Sequence, residues 1–115
     1  MPIMDRLTLS KLISTGENEN VEFKSSFNIE TIESLVAFAN TSGGRVLLGI
    51  NGTSVSGVHL NAETVQNWVN EIKTKTSPII IPDVEVLDIN SSKVVMFTIQ
   101  EYPIKPVSVR GKYYS

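Results

Sequence analysis

The chain has 115 residues, of which 41% are hydrophobic and 19% are charged, a composition that supports one globular domain with its own core. It contains no cysteine and one histidine, which excludes disulfide scaffolds, zinc–thiolate sites, cysteine nucleophiles and multi-histidine metal centres. Ten basic and twelve acidic residues give a net charge of −2, so any nucleic-acid contact must use a local basic patch. No apolar run approaches the roughly 20 residues of a membrane span, and the first residues lack a secretion-signal pattern. We therefore expect a cytoplasmic protein without a membrane partner.

The first part of the chain predicts two helices and a strand between them. A helix over 8–15 ends at Gly16, a common stop residue. Residues 21–24 alternate apolar and charged side chains, as a half-buried strand does. Asn28 can cap a helix from 29 to about 40. Four apolar residues at helical spacing are expected on its inner face: Ile29, Ile32, Val36 and Ala39.

The middle of the chain predicts a buried strand, a turn and a third helix. Residues 45–50 are almost continuously apolar, Asn51-Gly52 is a strong turn signal, and 55–58 is expected to return as a strand. Asn61 can cap a helix reaching about Thr76. Four side chains of that helix are expected to point inward: Val65, Trp68, Val69 and Ile72.

The last third predicts strands. Residues 84–89 and 93–99 form a hairpin through the loop 90–92, and 107–109 and 113–114 form another through Gly111-Lys112. Three helices with about six or seven strands indicate an α+β fold with a mixed, mainly antiparallel sheet. We expect a single domain over residues 1–115. Because its last residues still follow a strand pattern, we expect it to be the N-terminal part of a longer protein with downstream domains.

Two motifs in the correct order carry a family resemblance. Residues 17–26 hold an acid followed by Glu22-Phe23-Lys24, and residues 37–50 read Ala-Phe-Ala-Asn-Thr-Ser-Gly-Gly followed by an apolar strand. The chain resembles the Schlafen core, also called the Alba-like DNA-binding domain. Residues 105–107 and 111–114 look like the closing hairpin of that family, so the resemblance covers about 9–114. It implies the N-terminal domain of a prokaryotic transcriptional regulator or helicase-related protein.

The resemblance also implies a nuclease alternative. Related cores of animal Schlafen proteins are metal-dependent RNA endonucleases that use three acidic residues. Glu17 and Glu22 match the first two, and such carboxylates can hold Mg²⁺ or Mn²⁺. Lys24, on the same strand face as Glu22, would neutralise a phosphate oxygen. The alternative is an exposed acidic loop in which Glu22 and Lys24 form a surface ion pair. The third acidic position falls at Gly52, beside Asn51, so the metal site lacks one charge and the chain is not expected to be an enzyme.

The leading prediction is a nucleic-acid-binding, specifically DNA-binding, domain. Cations would hold phosphates, and nearby tyrosines, among them Tyr102, would stack on unpaired bases. The alternative is a solvated hairpin whose tyrosines belong to the core. The predicted phosphate contacts are Lys24, Arg45, Lys105, Arg110 and Lys112. The glycine pair Gly43-Gly44 is expected to be structural, because it follows a helix C-terminus, which repels anions. A third hypothesis is a homo-oligomer formed by pairing of exposed strand edges.

Overall fold

A four-stranded sheet with a helix against each face organises the chain. The computed structural model describes residues 6–110. The helices are α1 (Arg6–Thr15), α2 (Ile29–Ala39) and α3 (Thr64–Lys75). The strands are β1 (Val21–Lys24), β2 (Gly44–Leu48), β3 (Ile50–Asn51), β4 (Ser54–Val55), β5 (Thr76–Ser77), β6 (Asp83–Ile89), β7 (Ser92–Ile99) and β8 (Ser108–Val109).

The main sheet has the strand order β1-β2-β7-β6. Strands β1 and β2 are parallel, whereas β2–β7 and β7–β6 are antiparallel. Two short antiparallel pairs, β3–β4 and β5–β8, stand outside this sheet. The predicted α+β class with a mixed, mainly antiparallel sheet is therefore confirmed. None of the helices described over 6–110 is long and apolar enough to cross a membrane.

Side-chain alternation along the strands produces two apolar clusters. Val46 and Leu48 lie on the sheet face that α2 covers, called here the α2 face, together with Phe97. Leu47 points to the opposite face, called the α1 face, and packs with Leu9 of α1 and Met96. Every residue of β2 from Val46 to Leu48 is buried, because helices cover both faces of this central strand.

The predicted end of α1 and the predicted cap of α2 are confirmed, but one predicted core residue of α2 is exposed. Gly16, with φ +84°, ends α1. Asn28 Oδ1 accepts a hydrogen bond from the Glu30 amide at 2.9 Å, which satisfies a free donor at the start of α2. Ile29 was expected on the inner face but is 41% exposed, since burial of α2 begins only at Thr31.

The predicted strand over 45–50 is interrupted at Gly49. This residue has φ +99°, and a Cβ placed there would lie 3.1 Å from the Gly57 Cα. The chain therefore bends at Gly49, after the end of β2, and the predicted return strand over 55–58 shrinks to β4. Helix α3 starts later than predicted, because Asn61 Oδ1 accepts from the Glu63 amide in a preceding turn.

Helix α3 packs less deeply than predicted. Of its four expected inward residues, Ile72 is fully buried and the others are half-buried. Trp68 stacks on Phe27 with ring centroids 5.1 Å apart, which agrees with a core role. Strand β8 pairs with β5, a partner that the sequence did not predict. The rest of the predicted closing hairpin, 111–114, lies outside the described residues.

Candidate nucleic-acid interface

The predicted phosphate contact Lys24 is held by carboxylates. Its Nζ lies 3.1 Å from Glu22 Oε2 and 3.7 Å from Glu30 Oε1. Partial burial lowers the pKa of Lys24, but the hydrogen bond and charge of Glu22, with a contribution from Glu30, outweigh it and leave the pKa above its ordinary value. The Ser34 hydroxyl donates to Glu22 Oε2 at 2.7 Å. A phosphate at Lys24 would have to displace two acidic partners.

Glu17 and the neighbouring Asn18 cover the free edge of β1. Glu17 Oε2 accepts a hydrogen bond from the Phe23 amide at 2.7 Å. The amide and carbonyl of Val21 pair with the backbone of Asn18. Because the other side of β1 is paired with β2, these bonds occupy backbone groups that would otherwise be open to a further strand. The arrangement gives Glu17 a structural role that its motif position did not reveal.

The described residues fit a divalent cation poorly. The Lys24 ammonium and the Ser34 hydroxyl already occupy Glu22 Oε2, on which a metal would depend. The third family position, Gly52, is exposed, and an added Cβ there would meet nothing within 4 Å. Within 6–110, no group of three His, Cys, Asp or Glu side chains could hold a metal ion. The Mg²⁺ or Mn²⁺ site at Glu17 and Glu22 stays a prediction.

The glycine pair after α2 is required by packing. A Cβ on Gly43, which has φ +82°, would lie 2.8 Å from the Ile99 carbonyl oxygen. A Cβ on Gly44 would lie 2.6 Å from the Phe38 ring. Both directions lead into the protein, so the glycines are needed for a tight helix-to-strand reversal.

The chain after β7 is tied to the end of α2 by a side chain in the family motif. Asn40 Nδ2 donates to the Val107 carbonyl at 2.9 Å, and the Val107 amide donates to Asn40 Oδ1 at 2.7 Å. The Tyr102 amide donates to the Ala39 carbonyl at 2.8 Å. These bonds place the segment that leads into β8 and Arg110. Asn40 therefore helps to position Arg110, a predicted phosphate contact that is distant from it in the sequence.

The structure separates the predicted basic residues. Lys24 lies on the α2 face, whereas Arg45, two residues before Leu47, lies on the α1 face. Lys105 forms an ion pair with Glu101. Arg110 is exposed, and Lys112 lies outside the described residues. Within 6–110 the predicted cations therefore do not form one continuous patch.

Tyr102 is half-buried against the α2-face cluster, and its hydroxyl accepts a hydrogen bond from the Ile81 amide at 3.1 Å. These contacts agree with the alternative of a core tyrosine, and the stacking role of Tyr102 stays a prediction. The remaining tyrosines, Tyr113 and Tyr114, lie outside the described residues.

Lys75 is a cation that the sequence analysis missed. The Arg110 amide donates to the Lys75 carbonyl at 2.6 Å, beside the last registered pair of β5–β8, Thr76 and Val109, which are both buried. This bond brings the end of α3 next to Arg110. Lys75 also lies 2.9 Å from Glu71, one helical turn earlier. The sequence signal that could have identified Lys75 is the pair of basic residues in the last turn of α3. Basic residues at this place commonly stabilise a helix end, so the signal is not specific to binding.

Comparison with known proteins places the chain in a family. The model of the family described as Schlafen, AlbA_2 matches residues 17–115. The fold is similar to the N-terminal domain of a protein from Nitrosomonas europaea named for its relation to the ATP-dependent DNA helicase RecG, with a TM-score of 0.72, 16% identity, and coverage of 90% of this chain and 79% of that one. It is also similar to the DIP2311 protein from Corynebacterium diphtheriae, with a TM-score of 0.64, 16% identity, and coverage of 86% of this chain.

The chain spans 22% of the length of the Corynebacterium protein. No curated protein matches the sequence. The family model covers both motifs that carry the resemblance, the acidic strand segment and the helix-to-strand turn. The chain therefore belongs to the Schlafen, AlbA_2 family.

Proposed function

We propose that the chain is a nucleic-acid-binding domain, and specifically a DNA-binding part of a cytoplasmic prokaryotic transcriptional regulator or helicase-related protein. Family membership and the fold shared with a domain of a helicase-related protein support a role with nucleic acid. The proposal assigns the contact to the surface formed by Lys75 and Arg110, called here the basic pair. Lys112, which lies outside the described residues, stays a predicted phosphate contact.

The observation that carries the proposal is the backbone hydrogen bond that brings Lys75, at the end of α3, next to Arg110, directly after β8. A phosphate bound at this surface would accept hydrogen bonds from both side chains. In the free chain, Glu71 partly offsets the charge of Lys75, while the described residues give the Arg110 side chain no acidic partner. Arg110 is therefore the cation most available to a phosphate.

The basic pair predicts the type of binding as well as its place. Two cations that contact phosphates hold the backbone and carry no sequence information themselves. Affinity for duplex DNA should then fall with salt along a log–log slope of about −2, since each neutralised phosphate contributes roughly −0.9. Recognition of a specific sequence would come from other parts of the protein.

The test is a binding titration over a range of salt concentrations. The 115-residue chain is titrated into labelled duplex DNA, single-stranded DNA and an RNA hairpin, and fluorescence anisotropy is recorded between about 50 and 200 mM salt, where phosphate contacts respond strongly. Binding that weakens steadily with salt supports the proposal. Absence of binding to all three probes at the lowest salt would overturn it.

Edge pairing between copies is disfavoured by both edges of the main sheet. Backbone groups at the β1 edge are occupied by Glu17 and by Asn18. The β6 edge carries three acidic side chains, Asp83, Glu85 and Asp88. Charged residues on an edge strand oppose its pairing with another copy. The homo-oligomer hypothesis therefore gains no support from the described strands.

A further inference from the structure

We propose that a groove beside the glycine turn binds a terminal phosphate group, that is, a phosphate monoester. The groove has a volume of about 390 Å³ and lies where β1 and β2 begin and β7 ends. Its polar walls are formed by Asn20, Ser42, Arg45 and Thr98, with the backbone of Gly43 and Gly44 between them. This site lies apart from the basic pair and does not depend on it.

Arg45 supplies the charge that the proposal needs. The side chain is half-buried, and its guanidinium forms no ion pair with any residue of 6–110. In contrast, Lys24, Lys75, Lys93 and Lys105 all have acidic partners. A guanidinium offers a planar fork of N–H donors that matches the oxygens of a phosphate.

Two hydroxyl groups complete the set of donors. Thr98 stands directly opposite Arg45 in the β2–β7 register, so both side chains lie on the α1 face. The side-chain Nδ2 of Asn20 donates to Ser42 Oγ and to the Gly43 carbonyl, each at 3.1 Å. Ser42 thus accepts from Asn20 and keeps its own proton for a ligand. Asn20 is a positioning residue that fixes the turn against β1.

The groove has the chemistry of an anion site. No residue described around it is acidic, and Ser42, Arg45 and Thr98 are all able to donate. Arg45 of β2 and Asp83 of β6 both stand opposite Thr98, on the two sides of β7. Thr98 therefore separates this acidic residue from Arg45. The polarity of the site therefore favours a ligand oxygen with negative charge over a cation.

The nearby C-terminus of α2 does not prevent anion binding. A helix C-terminus repels anions through its unsatisfied carbonyl groups. Here four consecutive carbonyls accept hydrogen bonds from within the chain, at 2.8–3.0 Å. They belong to Val36, Ala37, Phe38 and Ala39, and the donors come from Asn40, Thr41, Gly43 and Tyr102. The partial negative charge that faces the groove is accordingly reduced.

The composition of the groove selects a terminal phosphate over a continuous strand. A channel that follows a nucleic-acid backbone needs a series of cations and aromatic platforms. This groove has one cation and no aromatic residue among its described walls. One guanidinium and two hydroxyls suit the three free oxygens of a monoester. The group can come from a free mononucleotide or from the 5′ end of a strand.

The test is an NMR titration of the ¹⁵N-labelled 115-residue chain. The probes are inorganic phosphate, AMP, and one short oligonucleotide with either a 5′-phosphate or a 5′-hydroxyl. We expect saturable shifts of the amides of Ser42, Arg45 and Thr98 with phosphate and AMP. A stronger response to the 5′-phosphorylated oligonucleotide assigns the ligand to a strand end, and equal responses of the two oligonucleotides assign it to a free mononucleotide.

Variants of the groove make the test specific. Arg45→Gln should weaken AMP binding by at least about tenfold, because hydrogen bonds to charged groups are the strong class. Thr98→Val, which keeps the side-chain shape, should weaken it less. Lys93→Gln, at the opposite end of β7, should bind as the unmodified chain does. Unchanged spectra outside the groove show that each variant is folded.

Three results separate this proposal from the proposed function. Absence of shifts at Ser42 and Arg45 with phosphate and AMP overturns the groove site, even if oligonucleotides shift Arg110. Unweakened AMP binding by Arg45→Gln also overturns it. Phosphate or AMP can shift the groove amides while no nucleic acid binds elsewhere on the chain. That result supports the groove site and contradicts only the proposed function.

Discussion

Lys75, the last residue of α3, and Arg110, directly after β8, are joined by a hydrogen bond of 2.6 Å from the Arg110 amide to the Lys75 carbonyl. They are separated along the chain by the whole β6–β7 hairpin. Their proximity therefore depends on the bonds that return the chain to α3. A basic surface built in this way is sensitive to the positioning of β8.

Asn40 provides the first prediction, because it clamps the segment before β8. Asn40→Ala removes two hydrogen bonds and leaves the buried Val107 amide without its acceptor. We expect a loss of about 1–3 kcal/mol in the free energy of unfolding. Chemical denaturation measures it, with Asn67→Ala on the exposed side of α3 as the control, expected within about 0.5 kcal/mol of the unmodified chain. Equal stability of the two variants would contradict the clamp.

Gly43 and Gly16 form a matched pair for the second prediction. Their φ angles are +82° and +84°, so an alanine suffers similar backbone strain at either position. Only at Gly43 does the new Cβ meet a neighbour, the Ile99 carbonyl oxygen at 2.8 Å. Gly43→Ala should therefore lower stability by about 1–3 kcal/mol more than Gly16→Ala. Similar melting temperatures for the two variants would disprove the packing role.

Signals that span only a few residues of the sequence were sufficient to predict most helices and strands. The apolar spacing of α2 from Ile32 onward, the Asn28 cap and the alternation in β1 each act over a few residues, and all three are confirmed. The interruption at Gly49 could not be predicted, because it depends on the approach of Gly57. The pairing of β5 with β8 was also hidden, since two-residue strands carry no measurable periodicity.

The candidate site was harder to predict than the fold. Lys24 and Arg45 look equivalent in the sequence, yet the β1–β2 register places them on opposite faces. Whether a cation is free also depends on partners that the sequence does not identify, such as Glu101 for Lys105. Lys75 was missed because its relation to Arg110 requires a contact between distant segments. The local pattern therefore identified residue types, and the register decided their roles.

The raised pKa of Lys24 gives a pH-dependent prediction. Because the pKa lies above its ordinary value of 10.5 in the folded chain, the charged form of Lys24 stabilises the fold. This contribution is fully present below the unfolded pKa and is lost as pH rises through the folded pKa. The stability difference between the unmodified chain and Lys24→Gln should be constant from pH 7 to 9 and shrink above about pH 10.5. Denaturation at pH 8 and pH 11 measures it. A difference that grows with pH would contradict the assignment.

Metal-dependent cleavage is not expected. Glu22 already binds Lys24 and Ser34, and the third acidic position is Gly52. Structured RNA incubated with the chain should remain intact with Mn²⁺, with Mg²⁺ and with EDTA. Cleavage that requires Mn²⁺ and disappears in Glu22→Gln would show that the two glutamates suffice for a nuclease. The matched control is Glu33→Gln on α2, outside the acidic motif.

Salt-dependent DNA affinity of three variants tests the central claim most directly. Arg110→Glu should weaken duplex binding by at least about tenfold, since a hydrogen bond to a charged group contributes about 1.5–3 kcal/mol. Glu71→Gln should strengthen binding, because it frees Lys75 from its acidic partner at 2.9 Å. Lys93→Glu, a reversal of the same charge at a distant hairpin, should change affinity far less. Equal losses in Arg110→Glu and Lys93→Glu, with no gain in Glu71→Gln, would contradict binding through the basic pair.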